Sequence, residues 1–388
     1  MEQNKIYWFL EQLEFLGGTE TATISIANKL SNFYDITLVV NGKKVNFIPY
    51  FIDPKIKIIF LNNEYVTKID EKVLKKWHEK KYFQVIMIFL RLLYFCLFGK
   101  YKFRRKVLKR TGQNDILIAS SDDNYAIMPK RRHVIFHYHY NAEHYYSFSE
   151  RLISLFYHKP EYYIFLSKNI RDAIARNKKE ILNKSTYIEN MIKLKPVLRT
   201  EYFNNNFIFL GRYADQKNPL FLIKVAKILK EKGLEFKINF YGSGKLKELM
   251  LEKIDEYELT QNVFINFEAK DVGEAFKDKD LLLMSSKFEG MPLVINEANS
   301  QSVPAFTTYF GKNTFDAVPD KAGVIINSSD PNDYAEEIIK LVSDRSGLLK
   351  YKEEAYKNSL KYSEEVILNK WLNFLKQFQE NNKTKYEL

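Results

Sequence analysis

The chain has 388 residues, 46% of them hydrophobic, which is too long for one ordinary core and supplies enough apolar material for two. Lys and Arg outnumber Asp and Glu by 60 to 48, a net charge of +12 that predicts attraction to anionic partners without saying which. One cysteine, Cys96, excludes an intramolecular disulfide and a thiolate zinc site.

Met1 to Lys5 leads into a short apolar run with no basic segment ahead of an apolar core, so no secretory signal is read and a cytoplasmic location is expected. Ile6 to Leu10 predicts a strand, Phe15 to Glu20 a glycine loop, Thr21 to Leu30 a helix and Ile36 to Val40 a strand. This is the opening of a doubly wound sheet, which binds ligands at strand C-termini. Gly17-Gly18 at the mouth of the helix would let a phosphate or sugar approach the backbone, or would serve as a plain tight turn.

Tyr82 to Phe98 is almost wholly apolar, yet shorter than the ~20 residues a spanning helix needs and interrupted by Arg91. Lys80 and Lys81 precede it; Lys100, Lys102, Arg104, Arg105, Lys106, Lys109 and Arg110 follow with no acid among them. An apolar helix beside a basic cluster suits a face resting on an anionic membrane, and equally a core helix followed by a solvated basic one. Strands are predicted at Asp115 to Ala119, Val134 to Phe136, Tyr162 to Leu166 and Thr186 to Ile188. His137 and His139 alternate in the loop expected after the second of these. Without a third ligand at convincing spacing, contact with a sugar or phosphate is preferred to a metal. The polar run from Lys193 to Asn206 reads as a linker.

The second half alternates more cleanly. Strands are predicted at Phe207 to Leu210, Lys237 to Tyr241, Val263 to Phe267, Leu281 to Met284, Ala305 to Thr307 and Val324 to Ile326, with helices between them. The stretch from Leu281 to Ala298 organises this half: a buried strand, a loop with Glu289 and Gly290, and a helix opening at Pro292 that carries Glu297. Free N–H groups at such a helix start, aided by the dipole, make an anion site. Arg212 and Lys217 add two cations past one strand, and Gly242-Ser-Gly244 a close backbone approach past the next. Two carboxylates beside an anion site fit a ligand with phosphates and hydroxyls, such as a nucleotide sugar.

Glu289 and Glu297, with seven residues between them, resemble the E-x7-E motif of retaining glycosyltransferases of family 4, the glycosyl transferases group 1. Gly-Arg-(x)4-Lys at 211 to 217, Gly-x-Gly at 242 to 244, the Gly17-Gly18 loop, the strand ending at His137, and Asn190 in an Ile-x-Asn element match its other motifs. Three loops depart from the pattern: Ser302-Val-Pro304 in place of Gly-x-Pro, Phe310 to Asp316 in place of a Gly-Gly loop, and Asn266 to Glu268 without a glycine. The resemblance implies a GT-B fold of two Rossmann-like, parallel-sheet α/β domains facing a cleft. Residues 1–190 would form the acceptor-binding domain, with a membrane-facing segment at 82–110. Residues 191–206 would be the linker, 207–362 the nucleotide-sugar domain, and 363–388 a helix returning to the first domain.

On that resemblance the donor is a UDP- or GDP-sugar, the acceptor a lipid-linked or surface glycan, and the protein rests on the inner face of the cytoplasmic membrane. Arg212 and Lys217 would bind the diphosphate, which makes a metal unnecessary, and no cofactor is expected. Glu297 would bind the ribose and Glu289 the donor sugar, beside backbone groups of Gly290, Met291, Pro292 and Leu293. Gly242 and Gly244 would border the donor, Gly18 the phosphate and acceptor, and His137, with His139 as rival, the reacting carbon. A sugar-nucleotide epimerase shares the fold and is the alternative enzyme. A nucleic-acid-binding role has only the charge in its favour, and no recognised module supports it.

Overall fold

The computed structural model describes residues 5–14, 17–62, 76, 79–94, 98, 100–121, 124–125, 127–129, 133–139, 160–176, 179–266, 269, 271–319 and 321–386. The chain divides into two compact units, with boundaries between Ile188 and Glu189 and between Ile367 and Leu368. Residues 191–205 contain neither helix nor strand.

The first unit is built on a parallel sheet of seven strands: β1 (Lys5–Leu10), β2 (Asp35–Val40), β3 (Lys57–Phe60), β4 (Ile116–Ala119), β5 (His133–Tyr138), β6 (Tyr162–Phe165) and β7 (Ser185–Tyr187). Their order is β3-β2-β1-β4-β5-β6-β7, so the direction of winding reverses between β1 and β4. Strands β1, β2 and β4 are continuous apolar runs because helices cover both faces of a parallel sheet. The sheet's helices include α1 (Gly18–Leu30), α2 (Tyr82–Tyr94), α3 (Lys100–Leu108), α4 (Lys168–Ala175) and α5 (Lys179–Leu182).

The second unit carries six parallel strands: β8 (Asn206–Leu210), β9 (Lys237–Tyr241), β10 (Val263–Asn266), β11 (Leu281–Met284), β12 (Ala305–Thr308) and β13 (Gly323–Ile326). In the order β10-β9-β8-β11-β12-β13 the reversal falls between β8 and β11. Connecting helices are α6 (Pro219–Glu231), α7 (Lys247–Glu256), α8 (Val272–Phe276), α9 (Leu293–Ser300), α10 (Thr314–Ala317), α11 (Pro331–Ser343) and α12 (Arg345–Ser359). Phe207, Phe209, Phe240, Leu283 and Phe306 fill the core with Leu222, Ile338 and Tyr334 from the helices. The last helix, α13 (Glu364–Tyr386), begins in this unit and continues in the first, where Trp371 stacks on Trp8 at 5.0 Å between ring centroids.

The alternation of strands and helices expected from sequence is present, with informative differences. Strand β3 and helix α10 have no counterpart in the sequence reading; β3 is only partly buried, and α10 is a single turn, too short for helical periodicity to register. His137 lies inside β5, paired with Ile164 of β6, rather than in the loop beyond it. Pro292 is the N-cap of α9, with extended backbone at φ −67° and ψ 116°, so the helix opens at Leu293.

Candidate active site

A doubly wound sheet opens a crevice where the winding reverses, because the loops of the two central strands leave in opposite directions. In the second unit those strands are β8 and β11, and their loops carry the predicted cations and the first predicted carboxylate. Lys217 Nζ lies 2.6 Å from Glu289 Oε1, and both side chains are largely buried. The two residues are 72 apart in sequence, and only the adjacency of β8 and β11 brings them together.

Gln216 ties the two loops. Its side chain donates to the Phe288 carbonyl (3.1 Å), its own carbonyl accepts from Lys287 N–H (2.9 Å), and its amide oxygen accepts from exposed Arg212 (3.2 Å). Ser285 Oγ lies within hydrogen-bond reach of the carbonyls of Lys217 (3.1 Å) and Asn218 (2.8 Å). One cation is therefore paired and buried, while the guanidinium of the other reaches water.

The loop from Glu289 to Met291 is held by its carbonyls. Asn313 Nδ2 donates to Glu289 O (2.9 Å) and to Gly290 O, and Asn190 Nδ2 donates to Met291 O (3.2 Å). Both asparagines are buried. Among the described residues, the N–H groups of Gly290, Met291 and Leu293 have no protein partner. With the carbonyls turned to asparagines and the amides free at a helix start, the loop presents donors to an anion. Pro292, which has no N–H, lies within this run at no loss of a donor.

Glu297 lies one turn into α9. Part of its side chain reaches solvent, but its carboxyl is crowded by protein, and burial pushes its pKa up to about 7 against a smaller opposing pull from Lys193. Burial likewise lowers the Lys193 pKa, with Glu297 pulling the other way. At neutral pH Glu297 is partly protonated, so its carboxyl both donates and accepts hydrogen bonds, as vicinal hydroxyls require.

Gly242 and Gly244 serve the frame. Both have φ near +150°, and a Cβ at Gly244 would sit 2.5 Å from the Tyr213 carbonyl; one at Gly242 would overlap the Gly211 carbonyl. Tyr213 N–H donates to Ser243 O (2.8 Å), so these glycines let the β9 loop lock onto the β8 loop.

In the first unit, Gly18 starts α1 and a Cβ there would meet nothing within 4 Å, so open space, not packing, surrounds it. Gly17 is its N-cap and donates to Tyr50 Oη (2.8 Å). His137 is buried against Trp8 and Trp371, at 5.9 and 5.3 Å between centroids. Its Nδ1 lies 3.0 Å from His139 Nε2, and its own buried Nε2 has no partner among the described residues. Burial, reinforced by His139, lowers the His137 pKa well below the usual value, and burial takes His139 to about 3. The pair is neutral at physiological pH, one ring donating to the other.

No group of three or more His, Cys, Asp or Glu suited to a metal occurs among the described residues. Asp278-Lys279-Asp280 has the Asp-x-Asp spacing that can hold a metal on a diphosphate. Asp280, however, is fully buried against Lys352 (3.0 Å) and accepts from Phe203 N–H (3.0 Å) and Asn206 N–H (3.2 Å), while Asp278 pairs with Lys279. Those carboxylates secure the entry of the chain into the second unit.

With these loops in view, the comparisons are specific. Residues 195–358 match the family model described as glycosyl transferases group 1. This stretch is a glycosyl transferases group 1 domain. The poly(ribitol-phosphate) alpha-N-acetylglucosaminyltransferase of Staphylococcus aureus (strain COL) is 30% identical over 42% of this chain and 34% of its own length. The amylovoran biosynthesis glycosyltransferase AmsD of Erwinia amylovora is 26% identical over 44% of this chain and 48% of its own. The matched stretch thus spans only about a third to a half of these curated relatives.

Among solved structures, a TarM variant of S. aureus in complex with fondaparinux, alpha-GlcNAc-glycerol and UDP superposes with a TM-score of 0.71 at 17% identity, covering 95% of this chain and 99% of that one. The pneumococcal O-GlcNAc transferase GtfA in complex with UDP and GlcNAc gives 0.72 at 13% identity, over 97% and 99%. The fold is GT-B. Within the group 1 domain, Lys217 and Glu289 pair at the β8–β11 reversal, and the unpartnered amides of Gly290, Met291 and Leu293 follow Glu289 directly in the chain. Asn313, Gln216 and Lys193 escape the sequence motifs; only the departure of the 310–316 loop from the family pattern marks the first of them.

Proposed function

We propose that the chain is a metal-independent, retaining glycosyltransferase that moves a hexose from a UDP- or GDP-sugar to a hydroxyl of a growing lipid-linked or surface glycan. The observation that carries this reading is the Lys217–Glu289 pair beside unpartnered helix-start amides in a group 1 domain. Lys217 stands between a carboxylate and the place an anion would occupy, so it can order Glu289 for the sugar while facing the diphosphate. Arg212, exposed and held by Gln216, supplies the second cation. The Gly290, Met291 and Leu293 amides take the remaining phosphate charge, and Glu297 takes the ribose hydroxyls.

In the transfer step the bond between the anomeric carbon and the diphosphate oxygen breaks, and the acceptor oxygen bonds to the same face. The acceptor proton passes to the departing phosphate oxygen, so no protein base is needed. The protein's work is positioning and neutralisation of charge developing on the leaving group. His137, neutral in the first unit, would act as a hydrogen-bonding group and not as a proton carrier. The relatives named above, a poly(ribitol-phosphate) alpha-N-acetylglucosaminyltransferase and an amylovoran biosynthesis glycosyltransferase, support a polymeric acceptor.

The test is a screen of UDP- and GDP-sugars on the purified chain with membrane lipid extract, reading nucleoside diphosphate release. One donor turned over only with acceptor, and not by Glu289→Ala, is the expected result. Release without acceptor, with the sugar recovered as its epimer, would favour the epimerase. A folded protein that binds no donor would sink both.

A further inference from the structure

Helix α2 is amphipathic the wrong way round for a soluble core helix. Its sequence is Tyr-Phe-Gln-Val-Ile-Met-Ile-Phe-Leu-Arg-Leu-Leu-Tyr, and on a 3.6-residue helix positions 82, 83, 86, 89, 90, 93 and 94 share one broad face. That face is the exposed one: Phe83 is 74% exposed, Ile86 56% and Leu90 53%, while Val85, at its edge, is buried. Phe98 continues the apolar surface past the helix end. A contiguous patch of this kind on a water-soluble surface marks something that covers it.

The neighbouring helix says what. Helix α3 buries Phe103, Arg104 and Val107 and exposes Tyr101, Lys102, Arg105 and Leu108, with exposed Lys109 and Arg110 beyond its end. No Asp or Glu occurs between Glu79 and Asp115. No helix among the described residues is long and apolar enough to cross a membrane. A short helix with large apolar side chains outward, followed by a mixed basic and aromatic face with no acid, matches an interface that is oily inside and negative at its border.

We propose that α2 and α3 form the docking surface of this protein for an anionic phospholipid bilayer, α2 entering the headgroup and acyl boundary and α3 pairing with lipid phosphates. A protein partner would satisfy the apolar face, but nothing about it calls for an unbroken run of cations alongside. The inference rests on the first unit alone and holds whether or not the transferase reading does.

The test is cosedimentation of the full chain with vesicles of phosphatidylcholine alone and of phosphatidylcholine with about a third phosphatidylglycerol. The expected result is binding to the anionic vesicles, weakened by salt, and reduced about tenfold or more by Phe83→Glu/Leu90→Glu. A second variant, Lys102→Glu/Arg105→Glu, should lose the preference for anionic lipid while keeping its fold, since all four positions are exposed. Equal binding to both vesicles would overturn the anionic assignment. A wild-type dimer that ignores vesicles and is dispersed by Phe83→Glu/Leu90→Glu would assign the face to a second copy. A monomer that binds neither vesicle would overturn the proposal outright. No donor or acceptor enters the assay, so its failure leaves the transferase question where it was.

Discussion

The two units share an architecture but hold their candidate residues in opposite ways. In the second, most are fastened to something polar: Lys217 to Glu289, Arg212 to Gln216, the 289–291 carbonyls to Asn313 and Asn190. In the first, His137 is wedged between two indoles with an unsatisfied Nε2, and Gly18 faces open space. A diphosphate demands fixed charges and fixed donors, and a rigid polar lattice supplies them. In the first unit aromatic packing, more than charge, fixes the histidine.

Five perturbations would break or sharpen this contrast. The largest effect should come from Lys352→Ala, which strands Asp280 in a fully buried place; a loss of roughly 3 to 5 kcal/mol in the stability of the second unit is expected by denaturant melt. Lys217→Ala should lower kcat/KM by about 100-fold, roughly 3 kcal/mol of transition-state stabilisation. If it raised KM and left kcat unchanged, Lys217 would bind ground and transition states alike, and the polar lattice would be a docking device.

Glu297→Gln separates stability from function. The wild-type carboxyl ionises near 7 in the fold but near 4.5 when unfolded, so the unfolded chain loses its proton first as pH rises. Stability therefore declines from about 4.5 to about 7 and levels off above. The Gln variant should melt higher than wild type at pH values above that window while binding UDP about tenfold more weakly. Asn313→Ala should weaken UDP by a similar or smaller factor, since a lost hydrogen bond is worth about 1 kcal/mol, with calorimetry as the readout.

The smallest effect at neutral pH concerns His137 and His139, and it grows only on acidification. Unfolded, each takes a proton near 6.5; folded, burial keeps both neutral to lower pH, His139 to about 3. The unfolded state thus gains protons first, and stability, intact above 6.5, is lost progressively below it. His137→Asn/His139→Asn should flatten that slope in melts taken across the acid range.

The parallel sheets were legible because buried strands are continuous apolar runs and the helices between them are periodic. Glu289, Glu297, Arg212 and Lys217 were legible because each sits at a fixed offset from a strand end. What could not be read is what crosses the sheet. The ion pair of Lys217 with Glu289 depends on β8 lying next to β11, a fact of strand order that neither segment carries. Asn313 contributes through an amide that reaches two carbonyls over twenty residues away, in a loop visible in sequence only as an irregularity. Periodicity marked 82–98 as apolar, but a moment has no sign with respect to the core, so only the structure shows the apolar face turned outward. The Gly-x-Gly at 242 to 244 predicts a close backbone approach for a ligand, and nothing in that pattern signals that the glycines also make room for the carbonyls of Gly211 and Tyr213.

The Trp8–Trp371 contact makes the protein its own optical probe. Both indoles are buried in the first unit against His137, Trp371 edge-on and Trp8 tilted, and no tryptophan occurs anywhere from 189 to 367. Ultraviolet emission excited at the red edge of tyrosine absorption will therefore report the first unit alone, while circular dichroism reports both. Imidazolium quenches indole and imidazole hardly does, so in a Trp77→Phe variant, which removes the third tryptophan beside His78, a fall in emission on acidification before any loss of helix signal would time the arrival of a proton at the His137–His139 pair.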